Sequence, residues 1–178
     1  MKQSVKELYD NKIIGKNDVY NAISKKMISV EDAVSIINEP EITIVEVVRL
    51  TKLKEISKIC EKAINAGVDI TLGTETLHFS LTANDQINLT NAIGAIKAGA
   101  TGFPYHNDGG LCRIFSAEDI TTIVTKSTKF VLYHTTYCNY LNYYIKSLQD
   151  IELINQVYYG MELPEELDDQ FMSVLATI

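Results

Sequence analysis

The longest uninterrupted pattern in this chain is an apolar stripe that runs from Ala117 to Leu148 without a glycine or a proline. Its members recur at alternating spacings of three and four residues, the heptad-like periodicity of one helix face. They are Ala117, Ile120, Val124, Ser127, Val131, His134, Cys138, Leu141, Ile145 and Leu148. The stripe predicts one long helix over about 117–148 whose seam is polar in the middle.

Two segments before this helix have the pattern of β-hairpins. In the first, apolar residues alternate on both sides of a Gly73-Thr74 turn, as strands with one buried face do. The second contains the run Asn107-Asp108-Gly109-Gly110, the strongest turn signal in the chain. A lone hairpin is marginal in water, so both should pack on helices. The residues expected to be mainly buried are Leu77, Phe79, Leu81, Ile114 and Phe115.

Capping signals predict the neighbouring helices. Thr43 and Glu46 form an S/T-x-x-E capping box before a helix over about 44–66, which Gly67 should end. Equivalent pairs are Thr82 with Asp85 and Ser116 with Asp119. The order helix, hairpin, helix, hairpin, long helix predicts a helix-rich α+β fold with small helical appendages at both ends.

Three parts are expected along the chain. Residues 1–39 form a short module of three helices, the last capped by Ser29 and stopped by Pro40. Residues 41–149 form the α+β main domain. Residues 150–178 form a C-terminal helical tail, in which Pro164 and the acidic residues after it indicate a helix start.

Both ends of the chain carry apolar helix faces that are too small to form a core alone, so they are candidate contact surfaces. The N-terminal candidates are Leu8, Ile23 and Met27, within a stripe that also includes Val19, Val34 and Ile37. The C-terminal candidates are Phe171, Val174 and Leu175, followed by Ile178. Tyrosines Tyr133, Tyr137, Tyr140 and Tyr144 share a face beside the long seam. Two interpretations remain for these tyrosines. They pack under the second hairpin, or they form a contact surface for another subunit.

Composition argues against several classes of function. The net charge is -7, which disfavours nucleic-acid binding, and no window is apolar enough for a membrane span. The N-terminus has no signal-peptide pattern, so we expect a protein made in the cytoplasm. The three cysteines, Cys60, Cys112 and Cys138, are widely spaced, and reduced, unligated thiols are expected.

No motif indicates an enzyme, a cofactor site or a metal site. His78, His106 and His134 are not paired at metal-ligand spacing. Cys138 lies one helical turn from His134, but an apolar seam should raise the thiol pKa and so disfavour a nucleophile. The Asn107–Gly110 turn lacks the remaining ligands of a calcium loop. We therefore expect no catalytic, cofactor-binding or metal-ligating residues.

Two stretches resemble phage families. Residues 8–37, with Tyr9, Gly15 and the segment Ile28-Ser29-Val30-Glu31-Asp32, resemble the XkdX family of short phage tail-region proteins. Residues 49–150 are similar to an uncharacterised domain family of phage tail-fibre and baseplate gene neighbourhoods. The shared residues are Arg49, Lys52, Ile56, Cys60, Gly67, Asp85, Gln86, Asn88, Leu89, Asp108, Gly109, Phe115 and Ser116.

These resemblances imply a structural or adaptor component of a phage or phage-derived contractile tail. Such a protein would contact other tail, baseplate or fibre proteins, with a homo-oligomer as a further possibility. It would be assembled in the host cytoplasm and retained in the particle. A tail-fibre assembly chaperone that leaves the particle is the first alternative, and a small hydrolase or metal enzyme is the remote one.

Overall fold

The computed structural model of the chain describes residues 1–39 and 43–177, and its helix-rich α+β class with two hairpins is the one predicted. The helices are α1 (Lys2–Asp10), α2 (Lys16–Ser24), α3 (Val30–Ile37), α4 (Ile44–Ala66), α5 (Ala83–Lys97), α6 (Ala117–Ser147), α7 (Ile151–Gln156) and α8 (Glu165–Leu175). The strands are β1 (Val68–Leu72), β2 (Glu75–Phe79), β3 (Gly102–Tyr105) and β4 (Arg113–Ser116). β1 pairs with β2 and β3 with β4, each pair antiparallel.

The chain divides into two compact units, and each is built from two stretches. Unit 1 comprises Met1–Ile59 and Cys138–Asp168, and unit 2 comprises Cys60–Tyr137 and Asp169–Ile178. The long helices α4 and α6 each contribute to both units, so neither unit ends at a linker.

Unit 1 has a core among its N-terminal helices. The hydroxyl of Ser29 accepts the backbone N–H of Asp32 at 3.1 Å, and this predicted cap begins α3. Asn38 ends α3 in a left-handed conformation, while the expected stop at Pro40 falls outside the described residues. The core cluster is Val5, Val19, Tyr20, Ala22, Ile28, Ala33, Ile36, Ile37 and Val47. Val47 belongs to α4, so a helix of the same chain helps to cover the small N-terminal module.

An arginine joins two distant parts of unit 1. The guanidinium of Arg49, on α4, pairs with Glu46 and also donates to the backbone oxygen of Leu148 at 2.8 Å and the side-chain oxygen of Gln149 at 3.2 Å. Its side chain is only 13% exposed, so these acceptors largely replace water. The contact holds α4 against the chain just after α6.

Unit 2 has its core between the two hairpins and the helices α5 and α6. The core cluster is Ile70, Phe79, Leu81, Leu89, Ala92, Tyr105, Phe115, Ile120 and Ile123. The caps at Thr82 and Ser116 form as predicted, each hydroxyl accepting the backbone N–H three residues later.

The burial expected for the hairpins is confirmed for Phe79, Leu81 and Phe115, and Leu77 is half-buried. For Ile114 it is wrong, because 71% of this residue is exposed. Phe115, opposite Phe103, faces the core, and successive strand residues point to opposite faces. Ile114 and its partner Pro104 therefore lie on the outer face.

The long seam predicted on α6 is confirmed as its less exposed face. Every member of the stripe is buried or half-buried, and Ile120, Leu141 and Ile145 have no exposed surface. None of the helices in residues 1–39 and 43–177 has both the length and the apolar character needed to cross a bilayer.

Candidate interaction surfaces

The C-terminal helix α8 uses Phe171 to pack on α6 within unit 2. The Phe171 ring lies edge-on to Tyr133 and Tyr137, with centroid distances of 5.5 and 5.9 Å. Phe171 is 4% exposed and Tyr137 is 7% exposed. The structure therefore places these two interface candidates inside unit 2, where their aromatic area already stabilises the docking of α8.

A groove remains open beside this aromatic contact. Its volume is about 470 Å³, and its lining is Lys129, Phe130, Tyr133, His134 and Leu175. We call it the aromatic groove. Two of the interface candidates line it, Tyr133 and Leu175, and Tyr133 is 44% exposed. Val174, 41% exposed, adds apolar surface on the same helix as Leu175.

The walls of the aromatic groove are ordered by ring contacts. Tyr133 stacks on Tyr137 with an interplanar angle of 7°, and Phe130 meets His134 edge-on at a centroid distance of 4.4 Å. Burial lowers the pKa of His134 below its ordinary value, so the imidazole is neutral at pH 7. Lys129 is then the charged side chain of the lining, on an otherwise aromatic and aliphatic surface.

Tyr140 and Tyr144 belong to unit 1, although they share the face of α6 that carries Tyr133 and Tyr137. Both are half-buried. The more exposed tyrosines of unit 1 are Tyr143, at 65%, and Tyr158, at 61%. Helical spacing alone grouped four tyrosines that the two units in fact divide.

The N-terminal candidates differ in exposure. Leu8 and Met27 are 40% and 41% exposed, whereas Ile23 is half-buried against the core of unit 1. Ile13 is a further exposed apolar residue of unit 1. It is 68% exposed beside a shallow groove of about 580 Å³ lined by residues 9, 10 and 12–16. Ile13 lies in the turn between α1 and α2, outside any helical stripe, so helical periodicity could not identify it as a contact residue.

A polar cluster in unit 2 joins the two hairpins to the end of α4. His78 donates from Nδ1 to the carboxylate of Asp69 at 2.6 Å and from Nε2 to the backbone oxygen of Ala66 at 2.7 Å. Both partners are hydrogen-bond acceptors, so this geometry favours the ring that carries protons on both nitrogens, which is the cationic form. The bond to Asp69, the largest cause, and the bond to Ala66 raise the pKa of His78. A cationic ring at the carbonyl end of α4 also suits the helix dipole.

Asp108 completes this cluster from the second turn. Its carboxylate accepts the backbone N–H of Ser80 at 3.1 Å and the Ser80 hydroxyl, and its own N–H donates to the backbone oxygen of His78 at 2.9 Å. Burial alone would raise the pKa of Asp108, but the bonds from Ser80 and the charge of His78 hold it below its ordinary value. The hydroxyl of Ser80 thus faces a carboxylate, and the cluster is best explained as a clamp between hairpins.

This clamp predicts a pH dependence of stability. A raised folded-state pKa means that the contribution of His78 is fully present below its unfolded pKa of about 6.5 and is lost as pH rises through the folded value. The side chain is 43% exposed, so solvent screening limits the effect to less than about 1 kcal/mol. We expect His78→Gln to unfold at lower urea concentration than wild type at pH 6, and the difference to shrink above neutrality.

The comparison variant for this measurement is His106→Gln, because His106 is exposed and acts on Asp108 through its charge. It separates the hydrogen bonds of the His78 ring from the effect of a nearby charge. The pKa of His134 is shifted in the opposite direction to that of His78. His134 is present in wild type and in each variant, so its contribution cancels from the difference in stability. If the difference in urea midpoint between wild type and His78→Gln stays constant from pH 6 to pH 9, His78 does not stabilise the protein as a cation.

The remaining candidate ligands are dispersed. Across the described residues, no group of three His, Cys, Asp or Glu side chains is placed to hold a metal ion. Cys60 and Cys138 are buried and Cys112 is exposed, and none of the three forms a disulfide within the described residues. The thiol of Cys60 donates to the backbone oxygen of His134 at 3.3 Å rather than to an imidazole nitrogen.

Comparison with protein-family models, with curated proteins and with solved structures finds no match to this chain.

Proposed function

We propose that this chain is a structural adaptor of a phage or phage-derived contractile tail, in the baseplate or tail-fibre region, and that it acts through protein–protein contacts. The aromatic groove is the observation that supports the contact role. The resemblances of residues 8–37 and 49–150 supply the tail context. The chain is assembled in the host cytoplasm and stays in the particle.

The aromatic groove has the composition of a partner site. Aromatic side chains are enriched where proteins meet, and exposed apolar patches on small domains commonly mark such sites. Phe171 holds α8 on α6, so the groove is formed before a partner arrives and little ordering is needed on binding. Preorganised sites of this kind suit a permanent structural contact.

The lining also indicates the chemistry of the partner. The groove fits an apolar side chain of a neighbouring tail protein, and Lys129 at its rim fits an acidic residue next to that side chain. The chain carries a net charge of -7, so Lys129 gives this groove a charge opposite in sign to that of the chain as a whole. A second copy of this chain is an alternative occupant.

A substitution at Leu175 tests the groove. Leu175 lines it, and Ala176 is the next residue and is exposed. Leu175→Asp and Ala176→Asp add the same charge at the same end of α8, but only the first places it in the groove. A carboxylate at this position replaces an apolar contact and pairs with Lys129, which the acidic residue of the partner would otherwise contact. We therefore expect incorporation of Leu175→Asp into particles to fall at least about tenfold.

The measurement is the amount of each variant in purified tail particles, after circular dichroism shows that both are folded. Ala176→Asp is expected to be incorporated like wild type. Equal incorporation of the two variants would remove the aromatic groove from the interface. The chaperone alternative is distinguished by the same particles, since a chaperone is absent from them.

A further inference from the structure

The turn of the second hairpin contains Asp108-Gly109, which is the one Asp-Gly pair of the sequence. Such a pair is chemically labile, because glycine has no Cβ to shield its backbone nitrogen from the carboxyl group that precedes it. The nitrogen of Gly109 attacks Cγ of the Asp108 carboxyl group, a C–N bond forms, and the amide proton leaves with the carboxyl hydroxyl as water. Water then opens the succinimide ring, and opening at the α-carbonyl gives isoaspartate.

Both residues of this pair are accessible to water. Gly109 is exposed, and 41% of the Asp108 side chain is exposed. Gly109 has a φ of +73°, a conformation that a glycine turn residue adopts without strain. Within residues 1–39 and 43–177, its N–H donates to no backbone oxygen. The attacking nitrogen is therefore neither buried nor held by a backbone acceptor.

The carboxylate of Asp108, in contrast, is held in place by Ser80. One carboxylate oxygen accepts the backbone N–H of Ser80 at 3.1 Å, and the other accepts the Ser80 hydroxyl. The N–H of Asp108 donates to the backbone oxygen of His78 at 2.9 Å, so the main chain and the side chain of Asp108 are both fixed. These bonds stabilise the ionised carboxylate, which is a much poorer target for a nucleophile than the carboxylic acid.

We propose that Asp108-Gly109 is a site of spontaneous isoaspartate formation, and that its hydrogen bonds to Ser80 protect it while the chain is folded. The reaction then requires the turn to separate from Ser80, a local opening of the kind that surface turns undergo. The site is independent of the proposed tail contact, because none of these residues lines the aromatic groove.

The product would open the clamp between the hairpins. In isoaspartate the main chain gains a methylene group, and the free carboxylate is attached directly to Cα. This shorter carboxylate arm and longer turn cannot restore both hydrogen bonds to Ser80. Isomerisation at residue 108 therefore removes the contact by which the second turn is held on the first hairpin.

The test is incubation of the full chain near neutral pH, followed by peptide mass spectrometry with fragmentation that distinguishes isoaspartate from aspartate at residue 108. We expect the folded chain to isomerise at least about tenfold more slowly than the same chain in urea, because the open turn is a minor population. Ser80→Ala should isomerise about fivefold faster than wild type, the change expected for loss of one net hydrogen bond. Ser80→Thr keeps a hydroxyl and should isomerise at the wild-type rate.

Ser116→Ala is the matched control, after circular dichroism shows that each variant is folded. Ser116 also donates its hydroxyl and its N–H to one carboxylate, that of Asp119, at 2.7 and 3.2 Å. Its substitution removes a bond of the same kind in unit 2 without touching Asp108, so the rate at residue 108 should stay at the wild-type value.

Three results would overturn the proposal. If no isoaspartate forms at residue 108 even in urea, Asp108-Gly109 is not a modification site. If folded and denatured wild type isomerise alike, or Ser80→Ala isomerises like wild type, Ser80 does not protect the pair. If Ser80→Ala and Ser116→Ala accelerate the reaction equally, a general loss of stability controls it.

Discussion

Gly67→Ala is expected to destabilise the protein by about 3 kcal/mol or more, one of the two largest effects of a single substitution proposed for this chain. Gly67 has a φ of +84°, which L side chains rarely adopt. A Cβ there would lie 2.0 Å from the backbone oxygen of Phe79 and 2.6 Å from the Cα of Ser80. Both contacts are backbone, so relief requires movement of β2 away from the end of α4.

The matched control is Gly99→Ala, because it separates backbone conformation from contact. Gly99 follows α5 with a φ of +103°, and a Cβ there would meet nothing within 4 Å. Its substitution should cost only the strain of the left-handed conformation, about 1–2 kcal/mol. The measurement is the free energy of unfolding in urea for both variants. Equal losses would mean that Gly67 is not pressed against β2.

Phe171→Ala is expected to lose about 3–5 kcal/mol from the docking of α8, the usual range for removal of a buried phenylalanine. Phe171 is 4% exposed and contacts both Tyr133 and Tyr137 edge-on. Its removal leaves a cavity between α8 and α6 and exposes two tyrosine rings. The result should be fast backbone hydrogen exchange over residues 169–177, together with altered near-ultraviolet circular dichroism from tyrosine.

Met172→Ala is the control for this prediction, because Met172 is the next residue of α8 and is 56% exposed. Its loss should change stability by no more than about 0.5 kcal/mol and leave the exchange of residues 169–177 unchanged. If Phe171→Ala and Met172→Ala behave alike, α8 is not held by its phenylalanine, and the aromatic groove loses its preformed wall.

Local signals predicted the elements of this fold well. The caps at Ser29, Thr82 and Ser116 depend on a hydroxyl and an N–H three residues apart, and such contacts are encoded within one turn. The two hairpins and the α6 seam follow from periodicity in the same way. The short helix Ile151–Gln156 was not predicted as a separate element, because six residues carry too little periodicity to define one.

Contacts between distant residues could not be predicted by the same means. Arg49 reaches the backbone of Leu148, and Phe171 reaches Tyr133, across chain separations that no periodicity describes. Ile114 and Phe115 were both expected to be buried, but successive strand residues point to opposite faces, and the pairing with β3 puts only Phe115 on the core side.

The most direct measurement of the central proposal is quantitative mass spectrometry of intact tail particles, purified from a culture of the host that encodes this chain. A structural adaptor is retained at a constant copy number, so we expect a fixed ratio to the other tail proteins through successive density gradients. If the chain is abundant in the lysate but absent from intact particles, it is not a structural adaptor of the tail.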